Sequence, residues 1–300
     1  MEALISYATE QGLLYCFMVL GVFVTFRILD FPDLTVDGSL PLGAAVTGAL
    51  ATSGYSIWLA TAAGLGAGLV AGFFTGVLHL LLKMGQSDAT NYGPKLLSGI
   101  LMMTALYTVN LRVMGRSNIP LLSVDTIFDS LGQFISVTMS GWSLVATLVV
   151  FMLMVKLILD WFLHTEIGLA LRATGDNEQM IRSLGVNTDK LRVLGLALSN
   201  GLVALTGSIV AQQQGFADVG MGIGTIVAGL AGVIIGEVVF GIRSISWVLF
   251  SVVGGSITYR LLIALSLRMG IQPTDVKLLT ALLVVIALAS PAVRQKVVRT

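Results

Sequence analysis

Charged residues are scarce in this sequence. They make up only 11% of the 300 residues, whereas hydrophobic residues make up 56% and the mean hydropathy is +0.93. A soluble globular chain carries roughly a quarter charged residues, so this composition excludes a pair of soluble domains. The stretch 57–82 contains no Asp, Glu, Lys or Arg, and it is long enough to cross a hydrocarbon core about 30 Å thick. The sequence therefore predicts a membrane-spanning protein.

The sequence lacks the motifs of several kinds of chemistry. The lone cysteine, Cys16, has no partner for an internal disulfide. No G-x-x-x-x-G-K-[ST] phosphate loop, H-E-x-x-H, C-x-x-C or G-x-S-x-G occurs. The two histidines, His79 and His164, are far apart in the chain, so we expect no metal site. The net charge of +1 does not indicate a nucleic-acid partner. We therefore expect a protein that is not an enzyme and needs no cofactor.

Nine hydrophobic segments predict an all-α polytopic membrane protein with about nine crossings, eight to ten being compatible with the pattern. The first segment follows a start without basic residues, so we expect a retained helix rather than a cleaved signal peptide. The segments lie at roughly 11–29, 38–54, 57–82, 95–114, 142–163, 190–212, 219–241, 245–267 and 276–291. Between the fourth and fifth, the loop 115–141 fits an amphipathic element on the surface.

The basic residues predict the orientation. If the N-terminus is outside and the crossings alternate, 12 of the 17 Lys and Arg residues lie inside, as the positive-inside rule requires. The C-terminus is then cytoplasmic. The chain forms one transmembrane domain over 1–300, with a first half at about 11–163 and a second half at about 190–291. A cytoplasmic loop at about 164–189 joins the halves.

Two glycine-rich stretches resemble each other. The sequence after Asp37 and the sequence after Asp218 both combine an acid with glycines and small residues, and they run in opposite directions in the predicted topology. Such a pair is typical of an inverted repeat around a central pathway, although chance similarity between glycine-rich helices remains open. Small residues also recur every fourth position, which predicts close helix packing or a sliding interface. They are Gly64, Gly68, Gly72 and Gly76, and Gly224, Ala228, Gly232 and Gly236.

Few charges are predicted at membrane depth. The candidates are Lys156, Asp160, Glu237 and Arg260, and three of these fall near helix ends. Ion-coupled carriers usually have an ionisable relay near the midplane, so the scarcity of such residues argues against that class. We expect Glu237 to pair with Arg243 at the inner interface.

The predicted cytoplasmic loop contains two short helices. A first helical run is broken by Gly175-Asp-Asn, and a second runs from Glu178 to Leu184. Asn177 is a suitable N-cap for the second helix, and Gly185 is a typical helix stop. Two short helices on the inner face would form a docking surface for a soluble partner.

This loop closely resembles the ATPase-coupling loop of permeases in the branched-chain amino acid and ribose importer family, which reads T-x-x-G-x-x-[LM]-R-A-x-x-x-[ND]-x-x-x-A-x-x-x-G-[IV]-[ND]. Ile181 stands where alanine is common, which is typical of a divergent branch. The Asp37-Gly-Ser stretch is also similar to an early D-[LG]-S stretch of that family, so the resemblance extends over about 35–291. The matching loop residues are Thr165, Gly168, Arg172, Ala173, Asn177, Gly185, Val186 and Asn187.

The resemblance implies a type II-like importer permease with a cytoplasmic coupling helix pair. It implies three kinds of partner: ATP-binding-cassette ATPase subunits, a second permease copy in a homodimer or heterodimer, and an extracytoplasmic substrate-binding protein. Stretches beginning at Gly236 and Gly255 are similar to a branch sometimes linked to aromatic amino acids such as tryptophan. The residues expected to contact the ATPase are Gly168, Arg172, Ala173, Asp176, Asn177, Glu178, Arg182 and Gly185.

Small and mildly polar residues are candidates for the translocation path, with helix capping and packing as their alternative role. Such a lining fits a small neutral or zwitterionic solute, most simply an amino acid. An ion-coupled secondary transporter or channel remains the alternative function. The candidate path residues are Thr35, Asp37, Ser39, Thr225, Ser256 and Tyr259.

Overall fold

The computed structural model describes residues 2–84, 92–122, 124–135, 141–272 and 275–285. Nearly all of its regular structure is helical. The helices are α1 (Glu2–Phe23), α2 (Val36–Thr52), α3 (Ile57–Met84), α4 (Tyr92–Met114), α5 (Ile127–Ile135), α6 (Trp142–His164), α7 (Glu166–Asp176), α8 (Glu178–Ser183), α9 (Thr188–Gln214), α10 (Thr225–Phe240), α11 (Ile245–Arg268) and α12 (Val276–Val285). A π-helical turn (Val24–Ile28), two strands, β1 (Asn118–Pro120) and β2 (Phe216–Asp218), and a 3-10 turn (Val219–Gly222) complete the elements.

Within the described residues, seven helices are long and apolar enough to cross a membrane. The protein is therefore an α-helical polytopic membrane protein. Two further predicted segments correspond to shorter helices: α2, with 17 residues, and α12. The last predicted segment continues to 291, and that part lies outside the described residues, as do the basic residues Arg294, Lys296 and Arg299. The seven spans are Leu4–Ile28, Ile57–Met84, Gly93–Met114, Trp142–His164, Thr188–Gln214, Val219–Phe240 and Ile245–Arg268.

The connections between helices define two ends of the bundle. Strands β1 and β2, which the sequence did not predict, pair antiparallel and join the ends of α4 and α9. We call this the strand end. At the other end, Lys83 of α3 contacts Glu178 of α8 and Asp189 of α9, and we call this the α7–α8 end.

Helix α1 is the most enclosed of the candidate spans, with 83% of its apolar window buried. It packs against α6, α9, α10 and α11. The approach to α11 is close because a Cβ at Gly12 would lie 2.6 Å from the Cα of Ile257. A lipid environment offers little hydrophobic drive between helices, so close backbone contact contributes much of the association.

The predicted glycine face of α3 packs against α9. Side chains added at Gly68 and Gly72 would meet main-chain atoms of Asn200 and Leu196. Because only a hydrogen occupies these positions, the two helix backbones can lie against each other over several turns. The prediction of close packing through this face is therefore correct.

An irregular segment connects α1 to α2. After the π-helical turn, residues 29–35 are not helical except for a turn at their end, and the chain runs back into the bundle. Phe31 and Asp33 are buried there, at 0% and 2% exposure. Phe31 makes an edge-to-face contact with His79 of α3. This segment places the start of α2 deep inside the bundle, beside Met103 and Leu106 in the middle of α4.

Candidate functional sites

Two side-chain caps and one glycine organise the α7–α8 loop. The Thr165 hydroxyl accepts a hydrogen bond from the Gly168 N–H at the start of α7. The Asn177 side chain accepts one from the Met180 N–H at 3.0 Å at the start of α8, as the sequence predicts. A cap of this kind satisfies one of the free N–H groups of the first turn. Gly185 has φ of +84°, a left-handed conformation that favours glycine after a helix.

Glu178 lies at the centre of an ion cluster. Its carboxylate accepts hydrogen bonds from Lys83 at 3.0 Å and from Arg192, which contacts both oxygens. Arg182 lies 3.3 Å away. Burial alone would raise the pKa of Glu178, but the hydrogen bonds and charges of Lys83 and Arg192 outweigh it and lower that pKa to about 2. The charged carboxylate therefore ties α8 to α3 and α9.

The predicted ATPase-contact residues occupy different positions in this loop. The Glu178 side chain is only 15% exposed and contacts its own chain. Arg182 is more accessible, although it donates to Thr188 and Asp189. Asp176, Asn177 and Gly185 are exposed as well. Beside them lie two apolar side chains that the sequence analysis did not single out, Met180 and Leu184, which are 52% and 70% exposed.

Helix α7 lies directly on the end of the α1 segment. A side chain at Gly175 would meet the main-chain carbonyl of Ile28. Gly168 similarly lies against the end of α6, where a side chain would meet the carbonyl of Phe162. Ala173 is half-buried, and its carbonyl accepts the Asn177 N–H that ends α7. Helix α7 is therefore in direct contact with the start of the irregular segment.

A charged pocket of about 360 Å³ lies beside α7. Its lining includes Arg172 and Asp176 of α7 together with Arg27, Glu237 and Arg243. The Glu237 carboxylate accepts a hydrogen bond from Arg27 at 2.9 Å. The predicted pairing of Glu237 with Arg243 is therefore wrong: Arg243 instead lies over the Trp247 ring, 5.3 Å from its centroid. The Arg27–Glu237 pair joins the π-helical turn that follows α1 to α10.

The carboxylate of Asp37 caps the start of α10. It accepts hydrogen bonds from the N–H groups of Gly224 at 2.9 Å and Ile226 at 2.8 Å. The Thr225 hydroxyl lies 3.0 Å from the same carboxylate. These donors and the positive end of the α10 dipole stabilise the Asp37 carboxylate. The carboxylate lies within the bundle, since the neighbouring Gly38 packs against the middle of α4. The two predicted path residues Asp37 and Thr225 thus form one site.

A cavity of about 370 Å³ opens beside Asp37. Its surface is mainly apolar, and its polar groups belong to Asp37, Asn110, Thr104 and Tyr107. Asn110 is fully buried and donates to the Gly38 carbonyl, while its Oδ1 has no hydrogen-bond partner among the described residues. The lining residues are Asp37, Pro41, Met103, Thr104, Tyr107, Asn110, Val219 and Ile223.

Thr35 and Ser39 lie behind this site in a buried polar network. Ser39 donates to the Asn200 side chain at 2.6 Å, and Asn200 donates to Asp33 at 2.7 Å. The Thr35 hydroxyl lies 3.1 Å from that of Thr75. All five residues are at most 2% exposed, so Thr35 and Ser39 link helices here and do not line the cavity.

Ser256 and Tyr259 are also in contact with neighbouring helices. The Ser256 hydroxyl donates to the Gly12 carbonyl at 2.8 Å, and the Tyr259 hydroxyl lies 2.7 Å from that of Thr280. Both residues are at most 5% exposed. Of the six predicted path residues, the structure therefore leaves Asp37 and Thr225 partly accessible and buries the other four.

Comparison with known proteins gives the family. A family profile described as branched-chain amino acid transport system / permease component matches residues 4–289. The chain belongs to this family. It is a permease subunit of an ATP-driven importer, not an enzyme, and a multi-pass protein of the bacterial inner membrane. The family implies an ATPase partner and a substrate-binding protein.

Individual relatives cover most of the permease. It is 41% identical over 290 residues to a tyrosine transport system permease protein of Clostridioides difficile, spanning 97% of this chain and 92% of the relative. It is 34% identical over 288 residues to an uncharacterized protein of Rickettsia prowazekii, spanning 94% and 96%. The autoinducer 2 import system permease protein LsrC of Salmonella typhi is 32% identical over 207 residues, spanning 69% and 55%. No solved structure matches the chain significantly.

Sequence reasoning missed several polar residues of this permease. Asp33 and Asn200 form its buried network, and Lys83 and Arg192 hold Glu178. One signal was available for Asn200, an amide in the middle of an apolar segment, because polar groups at that depth must find partners within the protein. The sequence around Asp33 contains no comparable signal, because a short polar stretch with acidic residues usually predicts a surface loop.

Proposed function

We propose that this permease moves an amino acid across the inner membrane and couples to a separate ATPase through α7 and α8. The observation that carries the proposal is the contact of α7 with the end of α1, at Gly175 and Ile28. A loop that only connected two helices would not need two capped helices held against the bundle. The N-terminus then lies outside the cell, and the α7–α8 end and the C-terminus lie in the cytoplasm.

The docking surface would be the exposed side of α7 and α8. Met180 and Leu184 provide its apolar centre, and exposed apolar side chains on a charged loop are typical of a binding surface. Asp176, Asn177, Arg182 and Gly185 would form its polar rim. We assign Glu178 a positioning role, because its carboxylate holds α8 to α3 and α9.

A continuous set of contacts supports transmission from the ATPase to the middle of the bundle. Helix α7 touches Ile28, and the chain from Ile28 leads within a few residues to Asp33. Asp33 contacts Asn200 of α9, and Asp37 at the start of α2 caps α10. Packed interiors shift between discrete arrangements and do not deform continuously. Displacing α7 would therefore move α2 relative to α9 and α10.

The solute path would pass the cavity beside Asp37 and be completed by a second permease copy. The cavity's mainly apolar lining, with Met103 and Tyr107 next to the Asp37 carboxylate, suits a zwitterion with an apolar or aromatic side chain. A relative of high similarity is named a tyrosine transport permease. An aromatic amino acid is therefore the substrate we propose. A binding protein would dock at the strand end, where Leu122 is 89% exposed.

The double variant Met180→Glu, Leu184→Glu tests the docking surface. We expect it to prevent co-purification of the ATPase subunit expressed with the permease, because two carboxylates replace the apolar centre of the contact. Leu122→Glu is the matched control, since it makes the same chemical change at the strand end. Co-purification at the wild-type level by the double variant would contradict the docking assignment. Amino acid uptake by liposomes that contain the permease alone, without ATP, would contradict the coupling.

A further inference from the structure

Arg260 lies within a membrane span and forms no ion pair with an acidic side chain among the described residues. It lies in α11, about two turns before the end of the helix at Arg268. Its guanidinium carbon is 3.7 Å from the centroid of the Tyr15 ring. Its Nε is buried and has no hydrogen-bond partner, and the side chain forms no ion pair with the described residues. Lys156, by contrast, also lies in a span and pairs with Asp160 at 2.7 Å.

The guanidinium lies deep in the membrane. Tyr15 is close to the middle of the span Leu4–Ile28. Helical side chains lean toward the start of their own helix, so Arg260 extends away from the nearer end of α11 and toward Tyr15. The phosphate headgroups lie outside a hydrocarbon core about 30 Å thick. A lipid phosphate is therefore badly placed to serve as the counter-ion of Arg260.

The charge of Arg260 calls for an anion. A guanidinium remains protonated in proteins and presents five N–H donors. The Tyr15 ring provides a cation–π contact, but it does not provide a hydrogen-bond acceptor for the Nε–H of Arg260. Ionisable residues within membrane spans are expensive and are usually functional. Among the described residues, the Arg260 guanidinium therefore stacks on the Tyr15 ring, and its N–H groups donate no hydrogen bond.

We propose that Arg260 binds the carboxylate of the solute during its passage, while Tyr15 holds the guanidinium in place. The guanidinium fork matches a carboxylate with two parallel hydrogen bonds, and the solute class is then a free amino acid or another small carboxylic acid. This inference rests on the proposed transport function. It assigns a role to a residue next to Tyr259, whereas Ser256 and Tyr259 themselves are occupied by packing contacts.

The test uses the purified complex of the permease with its ATPase in lipid nanodiscs. Thermal stability is measured against rising concentrations of L-tyrosine and of tyrosinamide, which lacks the carboxylate. We expect L-tyrosine, and not tyrosinamide, to stabilise the wild-type complex. Arg260→Gln should weaken the response to L-tyrosine roughly ten- to hundredfold, as expected for loss of a hydrogen bond between charged groups. Arg268→Gln, which removes the same charge from the end of the same helix, should respond as the wild type does.

Two variants of Tyr15 distinguish a positioning role of its ring from a general loss of structure. Tyr15→Phe keeps the ring face and should preserve the response to L-tyrosine, whereas Tyr15→Leu removes the ring and should weaken it. Arg260→Lys keeps the charge without the fork and should fall between the wild type and Arg260→Gln. Recovery of the ATPase with each variant shows that the complex is assembled.

Three outcomes would overturn the assignment. The first is an unchanged L-tyrosine response in Arg260→Gln. The second is equal or greater stabilisation of the wild-type complex by tyrosinamide than by L-tyrosine, or no stabilisation by L-tyrosine. The third is dissociation of the permease pair in Arg260→Gln, which would make a second copy's carboxylate the partner. Failure of the proposed function is a separate result, because the ATPase would then not co-purify with the wild-type permease.

Discussion

The main-chain N–H of Ile226 donates a hydrogen bond to Asp37 at 2.8 Å, although the two residues are 189 positions apart in the chain. The bond joins the starts of α2 and α10. Both starts lie within the bundle, because residues next to Asp37 contact the middle of α4. The two stretches that resemble each other in sequence therefore meet in the structure, with the acid of the first capping the helix of the second.

We expect Asp37→Asn to reduce transport by at least about tenfold while the ATPase remains bound. An amide keeps one acceptor oxygen but loses the charge that complements the α10 dipole, and loss of a cap costs about 0.5–2 kcal/mol. Uptake in cells and co-purification of the ATPase measure the two effects. Asp125→Asn, on an exposed acid near the strand end, is the control. Wild-type uptake by Asp37→Asn would show that the cap is not needed for transport.

Glu178→Gln should destabilise the permease by about 1.5–3 kcal/mol, because hydrogen bonds between ionised groups are lost and Arg192 is left without an anionic partner among the described residues. The destabilisation caused by Glu178→Gln should become smaller as the pH falls. The pKa of Glu178 is lowered from its ordinary 4.5 to about 2. Its contribution is therefore fully present above pH 4.5 and is lost as the pH falls toward 2.

Thermal unfolding of the wild type and of Glu178→Gln from pH 7 to pH 3 measures this difference. The gap between the two proteins should be constant from pH 7 to about pH 5 and narrow below pH 4.5. Gln179→Ala, on an exposed neighbour in α8, should show no gap. A difference that grows on acidification would contradict the cluster as described.

Local patterns predicted the loop helices and the long spans, because both depend on nearby residues. Asn177 acts as a cap on a helix that begins at the next residue, and the glycines of α3 repeat with the period of one helix. Contacts between distant segments were not accessible in the same way. The partner of Glu237 is Arg27 and not the nearby Arg243, since the approach of α1 to α10 decides it.

The two strands and the burial of Asp33, which the sequence did not predict, also depend on contacts between distant segments. The residues of β1 form a strand only because β2 lies beside them, and neither has a strand pattern of its own. Likewise, nothing in the sequence around Asp33 indicates that the chain turns back into the bundle. The acid is buried because Asn200, far along the chain, offers it a donor.

Gly72→Ala should reduce folding yield and lower the free energy of unfolding by about 1–3 kcal/mol, as is typical of overpacking. The added methyl group would meet the Leu196 carbonyl across the α3–α9 interface. Gly66→Ala is the matched control on the same helix, because nothing lies within 4 Å of its Cβ position. Equal stability of the two variants would show that α3 and α9 are not in close contact.

The proposed orientation can be read from cysteine labelling of intact cells. The natural Cys16 is fully buried, so it should give little background with a membrane-impermeant maleimide. Asp125→Cys, near the strand end, should react from outside, and Ser183→Cys, in α8, should react only after the cells are opened. Both positions are exposed in the structure. The reverse pattern would invert the topology and remove α7 and α8 from the reach of a cytoplasmic ATPase.

Gly175→Val should uncouple ATP hydrolysis from transport. A side chain at this position would meet the Ile28 carbonyl, so α7 must move away from the segment that leads to Asp33 and Asp37. The exposed docking residues of α8 are unchanged, and we therefore expect the ATPase to bind and hydrolyse ATP at rates close to the wild type. Uptake per ATP hydrolysed, measured in liposomes that contain the full importer, should fall at least about fivefold if transmission depends on this contact. A parallel loss of ATPase binding would instead place Gly175 in the docking surface, and an unchanged ratio would mean that the force reaches the bundle by another contact.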